Sequence, residues 1–343
     1  MMRKWFASTN PFKPSPFMML VSYILLGFWT LVVLFPLYWL VVTAFKLPVD
    51  VSTGPKYIPW MDYQPSNHAW HELLVESGQE FVRRPYRNTV IVGFTSAMIA
   101  LTVGSMASYA LSRFTYRPKP GLILAFIGCV VFAIVTVNYG MAWQVSIAVA
   151  IALFLLITFT IGRRMKGAMS NNDIAFWLIS QRMLPPVAVI IPIYILFQHL
   201  GMLNTHYALI ITYTAVNLPL AIWFMRDYFE SIPIELEESA FIDGASRYQV
   251  LYKIILPLSA PGLVATFLIV LIFAWNEYTM GLFLSGADTQ TMPILIVAQN
   301  ATRGPQWWNI SALVMMMIAP VILLAFLLER YIARGLLIGA VKG

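Results

Sequence analysis

The chain has 343 residues, 59% of them hydrophobic and only 11% charged, with a net charge of +7. A soluble globular domain carries about 25% charged residues, so an ordinary soluble fold is excluded. With Cys129 as the sole cysteine, an internal disulfide or a cysteine metal cluster is excluded too.

The N-terminal stretch MMRKWFASTNPFKPSP is basic and then proline-rich, and the run from Phe17 to Phe45 contains no Asp, Glu, Lys or Arg. That run exceeds the roughly 20 residues that cross a bilayer and is much longer than a signal-peptide core. It is expected to be a retained first span. Apolar spans are predicted at roughly 17–43, 88–112, 121–137, 143–161, 175–199, 206–226, 261–283 and 309–328. The ten-residue alternation of a membrane β-barrel is absent. The expected class is an all-α polytopic membrane protein.

Charge orients the spans. With the N-terminus inside, the inside segments hold 15 of the 22 basic residues, from Arg3 and Lys4 to Arg334 and Lys342. The outside segments hold Lys46, Lys56, Arg83, Arg84, Arg87 and Arg303, and Arg182 alone lies within a span. Basic residues collect in cytoplasmic loops, so both termini are expected in the cytoplasm, and the basic excess needs no nucleic-acid partner. The third and fourth spans join through Asn138-Tyr139-Gly140, a turn signal, and form a tight hairpin.

Two outer segments are long. Residues 46–87 are expected to form a partly ordered cap, and 284–308 ends near the pair Trp307-Trp308. Within the first, His68, His71 and Glu72 fall at helical spacing. A metal site needs a third or fourth ligand in a closed geometry, and the neighbouring sequence offers none, so a solvated loop is expected.

Residues 235–257, ELEESAFIDGASRYQVLYKIILP, interrupt the apolar pattern on the inside. Pro233 suits a first helical turn, and Glu235, Glu237 and Glu238 suit its positive end. Asp243-Gly244 stops the helix. A second helix is predicted from Ala245 or Ser246, with Val250, Leu251, Ile254 and Ile255 on one face. A helix resting on headgroups favours Lys and Arg on its polar face; this one opens acidic and turns on a glycine, which favours a protein partner.

Glu238-Ser239-Ala240, three residues, Gly244, nine residues, Ile254, one residue, Leu256-Pro257 resembles the EAA signature of ABC-importer permeases, with Ser239 as the one departure. Arg87-Asn88-Thr89, Ala274-Trp275-Asn276-Glu277-Tyr278 and the ending from Arg334-Gly335 to Lys342-Gly343 look like the carbohydrate-uptake branch, similar to the maltose-system inner-membrane permeases of MetI-like fold. The resemblance implies a permease subunit in a bacterial cytoplasmic membrane, moving a carbohydrate or polyol. Its implied partners are a second permease in a heterodimer, two ABC ATPases carrying the ATP and Mg, and an extracytoplasmic solute-binding protein. Glu237, Glu238, Ser239, Ala240, Asp243, Gly244, Ala245, Arg247, Ile254, Leu256 and Pro257 would dock on an ATPase, with Glu237 and Glu238 meeting its basic groups. Trp307 and Trp308 would stand near the binding-protein contact, and the C-terminal tail would reach between the ATPases. The chain has no G-x-x-x-x-G-K-[ST] loop, so no cofactor and no catalytic residue are expected on it.

On that resemblance the layout reads 1–16 cytoplasmic, 17–45 first span, 46–87 outer loop, 88–329 core and 330–343 cytoplasmic tail. The core includes a coupling loop at about 227–260. The family has six spans, and the excess is a hairpin inserted at about 121–170. It holds no Asp, Glu, Lys, Arg or His from Gly121 to Ile161, so a peripheral, lipid-facing or subunit-contact place is expected for it. Ionisable groups inside a bilayer are costly and usually functional, which singles out Arg182 and Glu277, with Asn217, Trp275 and Asn276, as solute-path candidates. A secondary transporter using Glu277 as an ion-coupling site, and a membrane anchor that recruits a partner, are the competing classes.

Overall fold

The computed structural model describes residues 15–340 apart from 163, 165, 166 and 301–303. The predicted cytoplasmic N-terminus lies almost entirely outside the described residues, as do Arg303 and the last three residues of the tail.

Helix α1, Pro16–Thr43, begins where the Ser15 hydroxyl accepts the Met18 N–H at 3.2 Å. Helix α2, Gln79–Arg113, starts nine residues before the apolar run predicted from 88. Its charged first turns are stitched by Glu80–Arg83 and Glu80–Arg84 pairs at 3.8 and 3.6 Å, the spacing at which helix side chains meet. The hairpin follows as α3, Pro120–Asn138, and α4, Trp143–Thr160.

Helix α5, Asn171–Ser180, opens with a Ser170/Asp173 capping box and runs into a tight turn at Gln181–Met183. Helix α6, Pro186–His199, leaves it at 90°. The predicted span 175–199 is therefore two helices. Leu184 is extended, as a residue preceding proline prefers, and Pro185-Pro186 supply no N–H to continue the ladder.

Helix α7, His206–Ser231, is followed by α8, Glu235–Ile242. Helix α9, Arg247–Leu258, contains a π-helical turn at Leu251–Ile255 and meets α10, Ala260–Trp275, at 73°. The predicted span 261–283 thus ends as a helix at Trp275, and α11, Thr279–Leu284, resumes after a break. After α12, Met292–Ala298, helix α13 runs Trp307–Ala340. It extends through most of the predicted tail, which has no proline to stop it. Among the described residues, six helices are long and apolar enough to cross a membrane, or there are up to eight spans if each bent pair counts as one. Among the described residues there is no strand.

Two compact units emerge. One comprises residues to 91, 204–206 and 284–326. In it Asn204 gathers a turn, accepting from Gly286 N–H and Thr289 N–H at 3.0 and 3.2 Å and donating to Asp288 at 2.9 Å. Asn88 donates to the carbonyls of Asp288 and Gln290, each at 2.9 Å. The predicted cap at 46–87 is organised about the buried Lys46, whose ammonium lies 4.3 Å from the Trp39 ring and donates to the Lys56 carbonyl at 2.6 Å. Burial lowers the Lys46 pKa, opposed by the nearby Asp50 carboxylate.

The second unit comprises residues 92–203, 207–283 and 327–343. Its core joins Met225, Phe229 and Ile232 of α7 and its end to Ala240 of α8 and Val250 and Ile255 of α9. The hairpin's neck is clasped. Asn171 donates to the Leu111 and Phe114 carbonyls at 2.6 Å each and accepts the Tyr116 N–H at 2.8 Å, and Met169 N–H reaches the Pro118 carbonyl at 2.9 Å.

Candidate functional site: the α8–α9 corner

The corner forms for local reasons. Helix α8 ends in a Schellman motif: the Ala245 N–H reaches the Ala240 carbonyl at 2.9 Å, and the Gly244 N–H reaches the Phe241 carbonyl at 3.1 Å. Gly244 has φ +82°, which a side chain would strain, and open space where a Cβ would stand. Asp243 is the C-cap. Ser246 then caps α9 in a box with Gln249, so the helix begins at Arg247, one residue after the later of the two predicted starts.

The inward face matches the predicted one. Val250 and Ile255 are buried, and Ala245, Leu251 and Ile254 pack on the same cluster. Leu256 and Pro257 lie in the last turn of α9, Leu256 partly buried and Pro257 exposed. The outward face is apolar and aromatic. Ile242 is 86% exposed and Tyr248 77%, with Tyr252 one turn further on. Glu238, Ser239, Asp243 and Gly244 are exposed beside them. Sequence reasoning missed Ile242, Tyr248 and Tyr252. Their signal was available as large apolar side chains off the Val250–Ile255 face.

Glu237 departs from the sequence expectation. It is 3% exposed, and its carboxylate accepts from Arg113 Nε at 2.5 Å and Tyr109 Oη at 2.7 Å. Arg113 also donates to the Ile232 carbonyl at 3.0 Å. The carboxylate is thus spent inside the chain, anchoring α8 to the last turns of α2, and only Glu238 of the acidic pair faces outward. Glu238 and Arg247 line a recess of about 280 Å³ beside this anchor, with the Arg247 guanidinium 5.1 Å from the Phe114 ring.

The solute-path candidates fall into two kinds. Arg182, in the turn at the α5–α6 break, donates to Asn217 Oδ1 at 3.2 Å and lies 4.6 Å from the Phe273 ring. Asn217, buried in α7, donates onward to the Tyr213 carbonyl at 2.9 Å. These two are brought together. Trp275 is instead enclosed in the core, edge-on to Phe94, where a Cβ on Gly93 would lie 3.2 Å from its ring. Its indole is 2% exposed and fills the gap left by Gly93. Asn276 caps α10 by donating to the Ile272 carbonyl at 2.8 Å, and Glu277 accepts the Met280 N–H at 3.0 Å at the start of α11.

In the other unit, Trp308 donates to Glu72 at 3.3 Å, and Trp307, at the start of α13, is half exposed. His68 pairs with Glu72 and His71 with Glu76, at 3.6 and 3.0 Å. Among the described residues no group of three or more metal-ligating side chains is assembled.

The family model described as binding-protein-dependent transport system inner membrane component matches residues 172–338. A probable ABC transporter permease protein of Sinorhizobium fredii is 30% identical over 313 residues, 91% of each chain. The trehalose/maltose transport system permease protein MalG of Thermococcus litoralis is 26% identical, over 91% of this chain and 93% of its own. The fold is shared with a chain in the crystal structure of a bacterial ABC transporter involved in the import of the acidic polysaccharide alginate. That likeness has a TM-score of 0.60 at 21% identity, covering 94% of this chain and all of the other. With its corner, its apolar helices and these relatives, the chain belongs to the inner-membrane permeases of binding-protein-dependent ABC importers, of MetI-like type.

Proposed function

We propose that this permease couples import of a carbohydrate or related polyol to ATP hydrolysis by a partner ATPase, and that the α8–α9 corner is the coupling element. The observation that carries the reading is the two-sidedness of the corner. Ile242, Tyr248, Glu238 and the Gly244 backbone face outward, while Glu237 is anchored to Arg113 and Tyr109. An outward face of that composition suits a cleft on another protein, since apolar and aromatic anchors ringed by polar groups supply most binding energy. The anchor behind it carries displacement of the corner into α2, because a buried, hydrogen-bonded charge pair resists separation.

The sugars in the names of its relatives, trehalose and maltose among them, favour a sugar here. Charge asymmetry favours a corner on the cytoplasmic side with both termini inside. A second permease, a solute-binding protein meeting the outer surface near Trp307 and Trp308, and ATP with Mg on the ATPases complete the reading. The Arg182–Asn217 pair at the α5–α6 break is the part of the chain best suited to meet solute hydroxyls.

Gly244→Trp is expected to leave membrane insertion intact while abolishing uptake and solute-stimulated ATP hydrolysis. Ile242→Asp, at an outward position that folding does not use, is expected to weaken co-purification of the ATPase. Normal uptake by well-expressed Gly244→Trp, with undiminished ATPase recovery by Ile242→Asp, would overturn the docking role.

A further inference from the structure

The inserted hairpin carries a hollow of about 350 Å³ between α3 and α4. Its lining is wholly apolar, with Phe126, Cys129 and Ala133 on one side and Ala150, Ile151 and Phe154 on the other. It has a simple origin. The Phe126 and Phe154 rings meet edge-on at 5.5 Å in its lining, and the short side chains of Ala133 and Ala150 leave space beside them. Protein interiors are close-packed, and an apolar hollow does not retain water. In a helix pair exposed along both members, the available filler is a hydrocarbon chain.

Charge identifies what that chain belongs to. From Gly121 to Ile161 the hairpin has no Asp, Glu, Lys, Arg or His, yet Arg117 and Arg164 each lie two residues outside the Lys119–Gly162 contact that joins its two ends. The turn at the opposite end has none. Arg117 and Arg164 are exposed, and Lys119 donates to the Gly162 carbonyl at 2.8 Å, closing the neck. Beside it lies a polar recess of about 510 Å³, lined by Thr115, Arg117, Ser170 and Asn172 among others. Phe126 is six residues beyond Pro120, about 9 Å of helix, so one phospholipid reaches from the neck to the hollow.

We propose that the hairpin binds an anionic phospholipid of the surrounding bilayer, with an acyl chain in the α3–α4 hollow and the phosphate at the Arg117/Arg164 neck. The site is independent of the coupling corner and of the identity of the transported solute.

The chain contains its own reporter, since Cys129 in the hollow is the sole thiol. Full-length protein is reconstituted in nanodiscs of phosphatidylcholine with or without phosphatidylglycerol. Maleimide labelling of Cys129 is timed, and lipid retained after detergent washing is counted by native mass spectrometry. Phosphatidylglycerol is expected to slow labelling and to be retained in preference to phosphatidylcholine. Arg117→Gln and Arg164→Gln are each expected to reduce that preference roughly fivefold, the worth of one basic residue at an anionic surface. Ala133→Phe is expected to fill the hollow and release the lipid.

Equal labelling and equal retention with both lipids would overturn the proposal. So would undiminished phosphatidylglycerol on Ala133→Phe, or protection of Cys129 by a second copy of the chain in lipid-free detergent. If Ala133→Phe fails to fold, the comparison of the two lipids on the unsubstituted protein still decides.

Discussion

The α8–α9 corner and the α3–α4 hairpin are secured by opposite means. The corner is polar in sequence, yet it is fixed by a buried ion pair, a tyrosine hydroxyl and an apolar cluster shared with α7. The hairpin is largely apolar, with a hollow between its two helices, and the hydrogen bonds that tie it to the rest of its unit lie at its neck. The coupling role proposed for the corner calls for directional bonds, which apolar contact does not supply. An element that faces lipid needs none, since lipid tails are as apolar as its own side chains.

Breaking the corner's anchor is expected to have the largest effect on stability. Arg113→Leu strands the buried Glu237 carboxylate and is expected to cost about 3–5 kcal/mol, read as a lower unfolding temperature of the purified protein. Adding Glu237→Leu should recover most of that loss, whereas uptake should stay impaired because the directional link is gone. Tyr109→Phe removes one hydrogen bond to the same carboxylate and is expected to cost about 2 kcal/mol in the same assay. At the hairpin, Phe154→Leu gives up an edge-on ring contact worth about 1 kcal/mol, and uptake is expected to be unchanged. A hairpin variant that costs more than the Arg113 variant would reverse the contrast.

Local features of the fold were legible in the sequence. The Gly244 corner, the inward face from Val250 to Ile255 and the turn at Tyr139-Gly140 are all set by residues within a few positions of one another. What escaped depends on distant partners or on competition between signals. Glu237 looked like an outward first-turn carboxylate because its partners, Tyr109 and Arg113, lie more than a hundred residues away. Hydropathy merged α5 and α6 into one span because a sliding sum of apolarity is blind to the 90° bend that Pro185-Pro186 imposes. Trp275 stands among the solute-path candidates because an indole among polar neighbours suits a sugar surface. Only the cleft left by Gly93 shows that it points into the core.

The Asn171 clasp has an evolutionary consequence. Because Met169 and Pro118 already share a backbone hydrogen bond at 2.9 Å, the chain leaves α2 and returns to α5 at almost the same point. An excursion whose two ends touch can lengthen, shorten or vanish without shifting the register of anything downstream. A pair of crossings also returns the chain to its starting face, so acquiring the pair leaves every later loop on its own side. The stretch between α2 and α5 is therefore where chain length can change with least disturbance to the helices on either side.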